Sequence, residues 1–167
     1  MGSHANALEH AATRALQAAH DRKLTIAVAE SCTGGLLASL LTDVDGLGHV
    51  FDRGFVVYSI DAKCAMLSLK REWLESCDAV SRGVAVAMAE AVLERSEADV
   101  TIAITGFAGP GGPHAEEGLL HLASARRGGT TAHREGHFGA VGRTAVREAA
   151  VKAALAMLDE AISEASG

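Results

Sequence analysis

"TIAVAESCTGGLLASLL", Thr25 to Leu41, sets an apolar run, six small or polar residues and a second apolar run end to end. Leu24 to Ala29 is short, apolar and partly β-branched, the composition of a buried strand. Gly34 to Leu41 reads as a helix, so Glu30-Ser31-Cys32-Thr33-Gly34-Gly35 stands at a strand-to-helix junction. In open α/β sheets such junctions are where ligands collect.

The same alternation continues outward. Ala5 to His20 spaces Ala and Leu as an amphipathic helix does. "FDRGFVVY", Phe51 to Tyr58, is a strand with Gly54 as a bulge or a point of close approach. Asp61 to Leu69 suits a short helix. Ser81 to Arg95 suits a long one, capped by Ser81, with Val84, Met88, Val92 and Leu93 as its apolar stripe. "DVTIAIT", Asp99 to Thr105, is a second buried strand that runs into the glycine-rich Gly106–Gly112. Gly118 to Ala125 and Thr130 to Phe138 read as two strands joined by a hairpin turn at Gly128-Gly129. Arg143 to Glu164 is a helix with Val146, Ala150, Ala153, Met157 and Ala161 on one face. The order predicts a three-layer α/β/α domain with a mixed, mostly parallel sheet, one domain over residues 5–167. Met1-Gly2-Ser3-His4 reads as a cloning remnant.

Composition narrows the function. The chain has 167 residues, 49% hydrophobic but only 4% aromatic, so Ala, Val, Leu and Ile must build the core. A net charge of −6 with no Lys/Arg block disfavours nucleic acid. No apolar segment approaches the ~20 residues of a membrane span, and no signal peptide is visible. The three cysteines, Cys32, Cys64 and Cys77, have no metal-like spacing and fit a reduced, cytoplasmic setting. His114, His121, His133 and His137 form no ligand ladder on one element, so no metal and no cofactor is expected.

Three places can carry chemistry. At the junction, the N–H groups of Cys32, Thr33 and Gly34 begin a helix and suit an anion, either a phosphate or the oxyanion of an attacked amide. Gly34 and Gly35 allow close backbone approach. Equally, Ser31 or Thr33 can be an ordinary N-cap. If Ser31 is a nucleophile it needs a base. Lys63, just past the second strand in "VVYSIDAK", can serve if burial lowers its pKa, with the Tyr58 hydroxyl relaying or orienting a proton. The plain alternative is a surface lysine. The third place is "TGFAGPGG", where the Thr105 hydroxyl and the backbone at Gly106, Ala108, Gly109 and Gly111 can meet a ligand. It lacks the Gly-Lys-Ser/Thr ending of a nucleotide P-loop and otherwise reads as a flexible turn.

In this order, "AESCTGG" (Ala29 to Gly35), "GFVVYSIDAK" (Gly54 to Lys63), "VSRGVAVAMAE" (Val80 to Glu90) and "TGFAGPGG" (Thr105 to Gly112) resemble the CinA C-terminal-domain family, which includes nicotinamide-nucleotide amidohydrolases. The resemblance is to the stand-alone form. It implies an α/β/α fold and hydrolysis of the carboxamide of nicotinamide mononucleotide to nicotinate mononucleotide and ammonia. It also implies Ser31 as nucleophile and Lys63 as base, with Tyr58 nearby; Cys32 is the rival nucleophile. Arg143 and Arg147 match two family arginines and are candidate phosphate ligands, with two solvated arginines as the alternative. Relatives commonly form oligomers, so a homodimer or higher homo-oligomer is expected. The chain departs from the family pattern at Ile60, at Glu116 and Glu117, and at Gly142. The two acids are awkward beside a phosphorylated substrate unless they point away. A different small amide, or a pocket without turnover, stays open as an alternative.

Overall fold

A computed structural model describes residues 2–165, with side chains from residue 7 onward. Met1 of the predicted cloning remnant lies outside the described residues, and Gly2 to His4 belong to the first helix. In chain order the elements are α1 (Gly2–Asp21), β1 (Ile26–Glu30), α2 (Leu36–Thr42), a 3₁₀ turn (Gly48–Val50), β2 (Phe51–Val56) and α3 (Ile60–Leu67). There follow α4 (Arg71–Ser76), α5 (Arg82–Glu94), β3 (Val100–Gly106), β4 (Leu119–Arg126), β5 (Ala132–His137) and α6 (Arg143–Glu164).

The sheet order is β2-β1-β3-β4-β5. β1 pairs parallel with both β2 and β3, while β3–β4 and β4–β5 are antiparallel. Only β4 therefore runs against the other strands. β1 lies between two parallel neighbours and is wholly buried, which explains why its sequence is apolar without alternation.

Alternation is still present, but in side-chain size. Ile26 and Val28 of β1, with Ile102, Ile104, Leu120 and Leu122, face a core shared with α1, α2 and α6. Ala27 and Ala29, with Ala103, Ala123 and Ala125, face a second core under α3, α4 and α5. Large aliphatic residues fill one layer, and small ones let α5 lie close against the other face. The Ser81 Oγ cap of α5 accepts from Val84 N at 3.2 Å, as its sequence position predicts.

Gly54 is a point of close approach. A Cβ there would stand 3.2 Å from Val28 Cγ2 and 3.3 Å from Ala38 Cβ, so its absence lets α2 pack over β2. The pairing of β1 with β2 also shifts register between Ile26 and Ala27. Two expectations change. The helix after the junction starts at Leu36 rather than Gly34, because Gly34 (φ 63°) and Gly35 (φ 98°) are both left-handed. Tyr58 lies beyond β2, which ends at Val56.

Candidate active site

β1 ends at Glu30 and its neighbours carry the backbone one step further. Ser31 N donates to Ile104 O at 3.0 Å, and Val57 N donates to Glu30 O at 2.8 Å. Ser31 is thus fixed at the carboxyl edge of the sheet, above the central strands. Lys63 comes from the first turns of α3, whose start is capped by Ser59 Oγ accepting from Ala62 N at 3.0 Å. That helix carries its lysine inward: Lys63 is 1% exposed.

The two side chains meet. Lys63 Nζ lies 2.9 Å from Ser31 Oγ and donates to Val57 O at 2.7 Å and Tyr58 O at 3.2 Å. Among the described residues no carboxylate stands within ion-pairing distance of Nζ. Burial lowers the amine's pKa to about 8, against a small opposing influence from Cys32. In the neutral form an amine has two N–H donors and one lone pair. With the two carbonyls taking the donors, the lone pair is left facing the Ser31 hydroxyl. This is the arrangement a serine needs for activation by a base.

The serine sits on a turn held from both ends. Gly34 N donates to Ser31 O at 3.1 Å and Leu36 N to Thr33 O at 3.2 Å. Glu30, completely buried, accepts from Thr33 Oγ1 at 2.5 Å, Leu37 N at 3.1 Å and Ala38 N at 2.8 Å. Its carboxylate therefore caps α2, a role that sequence adjacency had offered to Ser31 or Thr33. Spacing alone could not find this, because the cap reaches across seven and eight residues. At the other end, Arg147 Nε of α6 donates to Cys32 O at 2.8 Å.

Of the expected anion donors, the Gly34 N–H is taken by Ser31 O and the Cys32 N–H faces its own thiol, whereas that of Thr33 has no acceptor among the described residues. The Thr33 hydroxyl is engaged by Glu30 and does not face a ligand. Cys32 is 5% exposed, and burial pushes its thiol up to about 11, so it is protonated at neutral pH.

Ser31, Cys32 and Lys63 open into a cleft of about 260 Å³. Tyr58, Ile60, Thr105, Gly106, Ala108, Gly109, Gly111 and Arg143 also line it, so the glycine-rich stretch does share an edge with Ser31. The Thr105 hydroxyl, however, donates to Ala79 O at 2.8 Å and is buried; it braces the wall rather than meeting a ligand. Tyr58 is 64% exposed and gives Lys63 its carbonyl, not its hydroxyl. The sequence did not single out Asp78 and Ala79, which also line the cleft. Both are left-handed, at φ 50° and 56°, a strain that non-glycine residues hold at sites where the backbone must turn sharply.

A second groove of about 600 Å³ lies between α1, α2 and α6, lined by Gly34, Gly35 and Arg147 among others. It is larger, but neither Ser31 nor Lys63 opens into it. The two arginines thus part company: Arg143 lines the serine cleft and Arg147 the groove behind the turn. Arg147 gives its Nε to Cys32 O and lines the groove, whereas Arg143 is the arginine at the serine cleft. Thr33, Gly34 and Gly35 likewise line the groove and not the cleft.

Glu116 and Glu117 do not line the cleft. Glu116 Oε1 accepts from His137 Nδ1 at 2.6 Å, and Glu135 Oε1 lies 2.7 Å from His137 Nε2. Between β4 and β5, His121 Nδ1 and His133 Nε2 are 3.0 Å apart. Among the described residues no cluster of three or more His, Cys, Asp or Glu is disposed to hold a metal ion. No described helix is long and apolar enough to cross a membrane.

Comparison with known proteins places these features in company. The family model described as the CinA C-terminal domain matches residues 8–162. A CinA-like protein of Chlorobium limicola is 43% identical over 151 residues, covering 85% of this chain and 35% of the relative. The chain spans about a third or less of the length of the curated relatives it matches. The crystal structure of competence/damage inducible protein CihA from Agrobacterium tumefaciens superposes with a TM-score of 0.88 at 44% identity, covering 92% of this chain and 94% of that one. A CinA superfamily protein from Escherichia coli gives 0.85 at 36% identity, covering 92% and 89%.

Proposed function

The chain belongs to the CinA C-terminal-domain family, and from that premise we propose that it hydrolyses the carboxamide of nicotinamide mononucleotide to nicotinate mononucleotide and ammonia. The observation that carries this reading is the 2.9 Å contact between Ser31 Oγ and a buried lysine that has no carboxylate partner among the described residues.

Neutral Lys63 takes the Ser31 proton as Oγ attacks the amide carbon. The tetrahedral oxyanion accepts from the N–H of Cys32, which lines the cleft, and such a donor is worth about 3 kcal/mol in the transition state. Lys63 then returns its proton to the departing nitrogen, and ammonia leaves an acyl-serine. A water molecule, deprotonated by the same amine, attacks the ester; the acid is released and Ser31 regains its proton. No step calls for a metal or a cofactor. Arg143, whose guanidinium packs against Gly109 at the cleft wall, is the candidate partner for the phosphate.

One observation favours a second reading, an amidase for a smaller amide: the cleft of about 260 Å³ is below the roughly 300–1,000 Å³ usual for small-molecule sites. Ammonia release from nicotinamide mononucleotide tests the first reading, with Ser31→Ala and Lys63→Ala as controls. Release that both substitutions abolish supports it. Ser31-dependent release confined to amides without a phosphate transfers the assignment to the second reading. Ligand binding without any release points to a binding module.

A further inference from the structure

Residues 107–118 leave β3, and Phe107 to Gly111 form one wall of the serine cleft before the chain returns to β4. Three backbone bonds shape this loop. Phe107 N donates to Leu119 O at 2.9 Å, Gly118 N to Phe107 O at 2.7 Å and Ala115 N to Gly112 O at 2.9 Å. Ala115 packs on Gly111 so closely that a Cβ on that glycine would stand 2.4 Å from Ala115 Cβ. Gly109 packs against the Arg143 guanidinium. The residue after Ala115 is Glu116, and its carboxylate is tied outside the loop. His137 Nδ1 donates to Glu116 Oε1 at 2.6 Å, and His137 Nε2 lies 2.7 Å from Glu135 Oε1.

We infer that His137 is a positioning residue for this cleft wall, tying the glycine-rich loop to β5 through Glu116 as an imidazolium shared between two carboxylates. Ionised carboxylates only accept, so both ring nitrogens must donate, and only the doubly protonated ring has two N–H groups. The neighbouring rings differ. His121 Nδ1 and His133 Nε2 stand 3.0 Å apart, so one donates and the other offers a lone pair. Burial holds the pKa of both below the ordinary histidine value, and Arg82 at the start of α5 adds its charge against His133. Glu135 Oε2 lies 3.8 Å from His121 Nδ1. The hydrogen bonds to Glu116 and Glu135 hold the pKa of His137 above the ordinary value. A neutral His137 has a single N–H for two carboxylates. Glu116 and Glu135 then compete for it, and the surviving bond loses about half its strength with the charge. The tie is therefore complete below pH 6.5 and is lost as pH rises through the higher pKa of the folded protein. With it goes the anchor beside Ala115, and the wall loosens.

The test is hydrogen exchange at the Phe107, Ala115 and Gly118 N–H groups, corrected for intrinsic rates, at pH 6 and pH 8.5. The parent should lose protection about threefold between the two, the scale of one exposed ion pair. In Glu116→Gln the amide can donate to the Nδ1 lone pair of a neutral ring while Nε2–H stays on Glu135, so protection should be indifferent to pH. In Glu116→Ala protection at pH 6 should already be as low as that of the parent at pH 8.5. NMR titration of the His137 ring, identified by its loss in His137→Asn, should give a midpoint above 6.5 in the parent and a lower one in Glu116→Gln. An exchange rate in the parent that ignores pH, an equal response in Glu116→Gln, protection retained in Glu116→Ala, or a parent midpoint at or below 6.5 overturns the inference. Neither readout uses ammonia release, so a parent protein without amidase activity defeats the proposed function and leaves this tie standing.

Discussion

Lys63 and Ser31 are 32 residues apart in sequence, yet their functional atoms stand 2.9 Å apart because two neighbouring parallel strands end at the same edge of the sheet. β1 delivers the serine directly. β2 delivers the lysine after one sharp turn, and the Val57 and Tyr58 carbonyls of that turn fix the direction of the amine. The pairing is therefore a product of sheet register rather than of any local motif.

The pH dependence of hydrolysis follows from the lysine. With a pKa of about 8, the amine is about one-tenth neutral at pH 7. Turnover at limiting substrate should rise about tenfold per pH unit below 8 and level off above it. A kcat/KM profile from pH 6 to 10 measures this. A limb centred near the usual lysine range of 10.5 would show that the amine is not desolvated in solution.

Lys63→Met should abolish ammonia release without lowering stability at pH 7. The folded chain binds the lysine proton with a pKa of about 8 and the unfolded chain at the usual 10.5. Between these values the unfolded state holds more protons, so parent stability rises with pH across that window. Below pH 8 the burden of burying the amine is fully present. The variant's advantage in melting temperature should be largest there and shrink steadily as pH climbs toward 10.5. A gap independent of pH would contradict this.

Glu30→Gln should destabilise the fold by about 1–3 kcal/mol in urea unfolding. A carboxylate accepts all three of its bonds, from Thr33 Oγ1, Leu37 N and Ala38 N. An amide keeps one acceptor oxygen and turns two donors toward buried N–H groups. Activity should fall with stability, since the same three bonds hold the serine turn.

Cys32→Ala should keep kcat within about threefold of the parent, because a buried thiol pushed up to about 11 offers almost no thiolate at neutral pH. Peptide mapping after iodoacetamide treatment should find modification at the partly exposed Cys64 and Cys77, with Cys32 spared. Loss of activity in Cys32→Ala with activity retained in Ser31→Ala would reassign the nucleophile.

Long, periodic elements were legible in the sequence because their faces are wide. α5 carries Val84, Met88 and Val92 into the core as spaced, and α6 does the same with Val146, Ala150, Met157 and Ala161. The six residues of α4 were not read, since Arg71 to Ser76 bury only Leu74 and show no period. At the site, residue type pointed to Ser31 and Lys63, whose partners lie at strand ends. The cap that Glu30 makes and the bond from Arg147 to Cys32 O were beyond that reach for a physical reason. A glutamate closing an apolar strand looks like its solvent-facing end, and nothing local marks an arginine as the donor to a carbonyl 115 residues upstream. The hydroxyls of Tyr58 and Thr105 were read as ligand groups from their places beside Lys63 and the glycine-rich stretch; the fold also engages Tyr58 through its carbonyl and ties the Thr105 hydroxyl to Ala79 O, bonds that no local pattern announces.

Arg147 reaching back to Cys32 has a bearing on biosynthesis. A ribosome emits the serine turn, with the Glu30 and Gly34 bonds that brace it, and the lysine before the helix carrying this guanidinium. A nascent chain would thus hold Ser31 and Lys63 while the Cys32 carbonyl still waits for its donor, and the last tie on that peptide forms only when α6 has emerged.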